Sequence, residues 1–436
     1  MNCRRSARVG SALTILWLGA FGVRLGAADW PQFRGPERRG TSLETGLQQQ
    51  WPEGGPRLAW QASQIGAGYS SPVVQGDTVW ISGDVGDDLQ FSALDRRTGA
   101  VRWRITNGRA WKGPFPGARS TCTLADGRLY LLNAQGRLLC ADPASGRELW
   151  AVDVLERFRG RNIQWGLSEC LLVDRGRVIV TAGGDTAFLA ALDGQSGQTV
   201  WSSAPLKFTR TMAFGGKPVE PPQADIDRAG YASPVLVESG GRRFVAATAA
   251  RHIVLADADN GELLWTRELP VIYEVIGAPP LGVGTGFLVA APDVGALLFD
   301  VIVTDGKVAV TERWRHPIDT CHGGFVQVGD LIYGSGYRLY RPWAALAAAT
   351  GTVHSERADL DKGCALFADQ RLYVLTEKGD VALLRPSAEG LLDAGRFSLP
   401  GPAAADVWSH PAIAAGHLFV RRHDALFCYD IRAPAP

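Results

Sequence analysis

The sequence predicts an all-β fold, a single eight-bladed β-propeller of four-stranded antiparallel blades, and three observations carry that expectation. One short apolar phrase recurs eight times, at successive intervals of 50, 49, 66, 43, 44, 41 and 46 residues. Further short apolar runs flank each copy, and four short strands in roughly 40–50 residues is the pattern of a propeller blade. A turn ending in Trp returns at fixed spacing between the third and fourth run of a unit.

The recurring phrase, the second strand of each unit, begins at Thr78, Arg128, Arg177, Arg243, Gly286, Asp330, Arg371 and His417. The interval of 66 residues holds an expected loop from Ser203 to Gly230. First strands are read from Tyr69 (YSSPVV), Tyr231 (YASPVLV) and Trp408 (WSHPAIA). Pro72, Pro234, Pro279, Pro280 and Pro411 fall in such segments, and proline, lacking an N–H, suits a strand with one free edge. The innermost strand, facing the central channel, has that edge. Third strands end in Asp, as in FSALD at Phe91 and LFCYD at Leu426.

The turn runs Asp95-x-x-Thr98-Gly99-x-x-x-Trp103, then Asp142 to Trp150, Asp193 to Trp201 and Asp257 to Trp265. The Asp can accept backbone N–H groups, the Gly can take positive φ without steric cost, and the Trp buries a large ring. The last unit supplies three strands only; RLAWQ from Arg57 provides the fourth and closes the ring, removing an exposed edge.

Residues 1–28 read as a cleaved signal peptide: Arg4, Arg5 and Arg8, an apolar stretch from Val9 to Val23, then Gly26-Ala27-Ala28. Residues 29–56 form an N-terminal extension and 57–433 the propeller. The export segment carries four Arg and no acid, so 45 basic against 44 acidic residues becomes 41 against 44, a formal charge of −3. That balance excludes an electrostatic nucleic-acid binder. No membrane span or lipid anchor is expected, and the protein is expected to be a periplasmic or secreted monomer. Six Cys remain after export, with no CxxC and no adjacent pair, and read as buried thiols.

The phrase from Ala93 to Trp103, A-x-D-x-x-T-G-x-x-x-W, resembles the tryptophan-docking repeat of pyrroloquinoline quinone (PQQ)-like propellers. That family includes the quinoprotein alcohol dehydrogenases and the outer-membrane assembly protein BamB. The segment Trp30-Pro-Gln-Phe-Arg-Gly-Pro36 is similar to the opening of many secreted members. The resemblance implies that Trp103, Trp150, Trp201 and Trp265 dock between neighbouring blades. It also implies what a quinoprotein dehydrogenase would need: a vicinal disulfide, a Ca²⁺ held by Glu and Asn, and an Asp base. Glu169 and Glu274 fall near where a Ca²⁺-binding Glu would stand, but no companion ligands align, and nearby Arg offers each carboxylate another partner.

Loops entering the innermost strands converge on one mouth of the channel. There Tyr69, Arg119, Trp165, Glu169, Tyr231, Glu274, His322, Trp408 and His410 are the ligand-binding candidates, aromatics and cations suited to an anionic, planar or sugar-like molecule. His316, Asp319, Cys321 and His322 form a compact group whose spacing matches no metal motif, so no metal site is assigned. No catalytic residue and no cofactor is expected, PQQ with Ca²⁺ being the alternative. The function read from these features is a non-catalytic binding or scaffold module with a protein, glycan or small-molecule partner. The alternatives are a divergent PQQ-dependent dehydrogenase of alcohols or sugars, and a glycan- or peptide-binding propeller.

Overall fold

A computed structural model of the chain describes residues 29–401 and 406–434; the expected export segment, 1–28, lies outside the described residues. Eight four-stranded antiparallel sheets follow one another along the chain. Blade 1 comprises Val73–Gln75, Thr78–Val85, Asp88–Asp95 and Val101–Arg109, and each later blade repeats this up-and-down order. Blade 8 is completed from the other end of the chain. Arg57–Ala62 pairs antiparallel with Ala425–Asp430, so the first described strand closes the ring onto the last.

Second and third strands are buried almost throughout, because each blade is covered on both faces by its neighbours, whereas fourth strands alternate exposed and half-buried residues at the rim. First strands are shorter than the sequence predicts. In blades 1, 4, 5 and 8 they begin directly after Pro72, Pro234, Pro280 and Pro411. The proline ends an extended segment outside the ladder, and pairing starts at the first residue that can donate an N–H.

The Asp turns form as their spacing implies. Asp95 Oδ1 accepts from the Arg97 and Thr98 N–H groups and from the Thr98 hydroxyl, and Asp142 and Asp193 repeat this arrangement. Trp103, Trp150 and Trp201 then meet the turn of the next blade. A Cβ added to Gly146 would lie 2.7 Å from the Trp103 ring, one on Gly197 2.8 Å from Trp150, and one on Gly261 2.3 Å from Trp201. Since these glycines also hold φ of +70° to +78°, both the conformation and the ring require them. Trp265 meets the rings of Phe287 and Phe299 in blade 5 instead. Trp60, on the closing strand, lies against Gly99 of blade 1 and carries the same contact across the seam.

Two features depart from the sequence reading. The expected loop from Ser203 to Gly230 contains an antiparallel hairpin, Lys207–Met212 with Pro218–Ile226, standing outside the blades. The N-terminal extension, whose course no repeat predicts, is bonded into the ring. Trp30 exchanges backbone hydrogen bonds with Val74 of blade 1, and Arg38 donates to the Cys170 and Leu171 carbonyls of blade 3. The segment then reaches the opposite side of the ring. Arg34, buried, donates to the Gly323 and Phe325 carbonyls at blade 6, Phe367 N–H of blade 7 bonds the Gly40 carbonyl, and Glu44 accepts from Ala415 and Gly416 of blade 8. A segment bonded to inner strands of opposite blades spans the channel and stops it. Gly35 is required there: at φ +82° a Cβ would meet the Trp30 indole at 3.0 Å.

Candidate functional site

Above that stopper a cavity of about 580 Å³ opens at the channel mouth. Its wall comes from the extended segments ahead of the first strands. Alternate residues of such a segment point the same way, so Tyr69 and Ser71, Arg119 and Thr121, Ser168 and Cys170, and Tyr231 and Ser233 line it in pairs. Phe33 of the N-terminal segment also lines it, with its ring edge-on to His410 at 4.8 Å.

Two aromatic groups face the space. On one side Trp408 is stacked with Tyr69 at 4.7 Å and with His322 at 4.6 Å, and its indole N–H donates to Glu377 Oε1 at 2.6 Å. On the other, Trp165 contacts Tyr231 and the hairpin-tip ring of Phe214, which in turn meets Tyr273. Phe115, Phe214, Tyr273 and Leu339 are exposed around this mouth.

Three cations, Arg119, Arg338 and Lys362, and three acids, Asp293, Glu377 and Asp406, line the cavity. Arg338 pairs with Asp293 at 2.8 Å and Lys362 with Glu377 at 2.6 Å. Arg119 donates instead to the Phe115, Gly117 and Trp165 carbonyls, and burial lowers its pKa to about 10, so it remains a cation. Burial pulls His322 down to about 4, helped by Lys362, and His410 to about 3, helped by Arg34. Both imidazoles are therefore neutral near pH 7, and His410 Nε2, facing the His322 carbonyl at 3.1 Å, is the protonated nitrogen. Cys321 Sγ lies 3.7 Å from His322 Nε2, but burial pushes the thiol up to about 12. A thiol raised beside an imidazole lowered is not an activated nucleophile.

Of the sequence candidates, Tyr69, Arg119, Trp165, Tyr231, His322, Trp408 and His410 line this cavity together. Glu169 and Glu274 do not. Glu169 is buried in the wall, accepting the Thr181 N–H at 3.0 Å. Glu274 borders a neighbouring, smaller cavity, where Arg210 and Arg251 bind its carboxylate at 2.6 and 3.1 Å. Sequence reasoning missed Phe33, Asp293, Tyr337, Arg338, Lys362 and Glu377.

The loop bearing Tyr337 and Arg338 is organised by Asp319, which is fully buried. Its carboxylate accepts the N–H groups of Arg338 and Leu339 at 3.0 Å and, through Oδ2, that of Asp293 at 3.2 Å. Asp319→Ala is expected to cost about 2 kcal/mol through orphaned amides and to raise hydrogen exchange at 337–340. Asp319→Asn, which retains one acceptor, should fall between. Unchanged exchange in the alanine variant would contradict this role.

A quinone-bound hard cation would need oxygen donors gathered at this mouth. Such an ion wants six or more oxygen ligands. Among the described residues no group of three or more His, Cys, Asp and Glu side chains could hold a metal. The carboxylates Asp293 and Glu377 are held by their ion pairs, and Glu169 and Glu274 by the contacts above.

Fold and cavity together define a PQQ-like propeller with a one-sided aromatic pocket. The family described as outer membrane protein assembly factor BamB matches residues 88–335, more than half of the chain, and the chain belongs to that family. It is 26% identical to BamB of Shewanella oneidensis over 227 residues, 49% of this chain and 48% of that one. It is 29% identical to the quinohemoprotein alcohol dehydrogenase ADH IIB of Pseudomonas putida over 174 residues, 38% of this chain and 21% of that one. The aligned segments thus span about half, or about a fifth, of these relatives' lengths. Among solved structures, BamB of Moraxella catarrhalis superposes with a TM-score of 0.58 at 16% identity, over 86% of this chain and 99% of that one. The quinohemoprotein alcohol dehydrogenase of Comamonas testosteroni gives 0.64 at 12% identity, over 94% and 81%. These likenesses show the fold.

Proposed function

We propose that this protein is a non-catalytic binding module, exported to the periplasm or beyond, that takes a sugar-like ligand in the channel-mouth cavity. The observation that carries this reading is the cavity itself: about 580 Å³, aromatic on opposite sides, bordered by paired acids and bases, and floored by Phe33. Aromatic faces bury the C–H face of a ring, while the Lys362–Glu377 and Arg338–Asp293 pairs offer donors and acceptors to its hydroxyl edge. The balanced charge suits a neutral ligand. Likeness to BamB is consistent with binding, and the Asp293 and Glu377 carboxylates and the Cys321 thiol of the cavity are held in unreactive states.

Titration of the protein's tryptophan fluorescence with cello-, chito- and malto-oligosaccharides tests it. At least one series should give saturable binding, weakened roughly tenfold or more, a loss of about 1.4 kcal/mol, in Trp165→Ala. Stoichiometric binding of PQQ with Ca²⁺ and dye-linked alcohol oxidation would overturn the reading in favour of a dehydrogenase.

A further inference from the structure

Beside the main cavity lies a second of about 210 Å³, enclosed between the 207–226 hairpin and the loops of blades 3 and 4. The two share Tyr231 and Tyr273 as a common wall. The smaller one is predominantly polar, and its charged lining is Arg210, Arg228, Asp225 and Glu274. Arg210 is committed to Asp225 at 2.5 Å and to Glu274 at 2.6 Å, and buried Arg251 adds a further bond to Glu274. These two cations and two anions neutralise one another.

Arg228 remains. It lines the cavity, its charge is felt by Asp225 and Tyr231, and its side chain has no ion pair or hydrogen bond among the described residues. The nearest acid in sequence, Asp227, is directed elsewhere: it accepts the Arg251 N–H at 3.0 Å and meets His252 Nδ1 at 2.7 Å. Gln164, also lining the space, likewise has no bonded partner for its amide.

The backbone brings two further chain segments together beside Arg228. Gly183 and Gly184 admit two chain segments at close range: a Cβ on Gly183 would fall 2.0 Å from Ala229 N, and one on Gly184 2.1 Å from the Phe158 carbonyl oxygen. The segment that follows Phe158 carries Arg159 and Arg161, both exposed and without bonded side-chain partners among the described residues.

We propose that this smaller cavity is a binding site for a small oxyanion, a phosphate, sulfate or carboxylate group, held by Arg228 with Gln164. A planar guanidinium offers two parallel N–H donors to such a group, and a partly enclosed site strengthens the contact relative to water. The site is independent of the sugar-like ligand proposed for the larger cavity.

Calorimetric titration of the full chain with inorganic phosphate, sulfate and acetate, at constant ionic strength in chloride, tests it. At least one anion should bind saturably, and its affinity should fall roughly tenfold, about 1.4 kcal/mol, in Arg228→Gln. Arg228→Lys, which keeps charge without the planar fork, should fall between. The ranking of the three anions separates tetrahedral ions from carboxylates. Nitrogen-15 NMR of the Arg228 Nε–H in the unsubstituted protein gives a readout free of any folding defect, and its resonance should shift with the same saturation. Absence of saturable binding by all three anions, an Arg228 resonance that does not move, or equal affinity in Arg228→Gln would each overturn the proposal.

Discussion

Replacing Arg421 with methionine is expected to destabilise the protein by about 3–5 kcal/mol, because several buried oxygens each lose their donor at a cost of about 1 kcal/mol or more. Arg421 is fully buried on the second strand of blade 8, and its guanidinium spans the seam to blade 1. It donates to the Gly66 carbonyl at 2.7 Å, the Ser82 carbonyl at 2.6 Å and the Ser70 hydroxyl at 2.5 Å, while Nε reaches the His423 carbonyl at 2.8 Å. Methionine of similar length fills the space but leaves these oxygens without donors in a site closed to water. Arg421→Lys should lose less, because it keeps the charge and some of the donors. Urea denaturation gives the stability change, and hydrogen exchange should rise selectively in residues 66–84. A variant with normal stability and normal exchange there would show that the seam does not depend on this side chain.

That seam shows what the sequence makes visible. A strand at one end of the chain completing a blade at the other is legible because the repeat leaves one unit short, and RLAWQ has the right pattern to fill it. The turn tryptophans are legible for the same reason, since each repeats one packing problem at one spacing. Arg421 and the channel stopper have no such echo. Arg34 finds the Gly323 carbonyl 289 positions away, a pairing that only closure of the ring creates.

The cavity was half legible, and the half that was missed follows a rule of strand direction. Loops into the first strands form part of the mouth, and seven candidates from them line it. In an antiparallel blade the loops between second and third strands return to the same face. Asp293, Tyr337, Arg338 and Glu377 all lie in those loops. Phe33 escaped notice because its segment belongs to no repeat. Glu169 is misplaced for a subtler reason: the extended segment ahead of its strand runs along the wall, but its side chain turns into it, toward Thr181.

That burial makes Glu169 a source of pH-dependent instability. Desolvation dominates its environment and raises its pKa from 4.5 to about 7, outweighing the Thr181 hydrogen bonds and nearby Arg38, which favour the charged form. A carboxyl whose pKa is raised on folding binds its proton more tightly in the native state. Its ionisation therefore costs the folded protein nothing below about pH 4.5, a growing amount between 4.5 and about 7, and a constant amount above. The shift corresponds to about 3 kcal/mol at the plateau. Glu169→Gln keeps a carbonyl for the Thr181 N–H and removes the ionisation. It is expected to stabilise the protein by up to about 3 kcal/mol at pH 8 and by little at pH 4. The difference between variant and parent isolates this group from Asp84, which burial also raises, to about 6. Denaturant unfolding of both proteins from pH 4 to 8 measures it. A constant difference across that range would mean that the Glu169 pKa does not change on folding, and a parent that loses stability relative to the variant toward pH 4 would mean that folding lowers it, as a bound cation would.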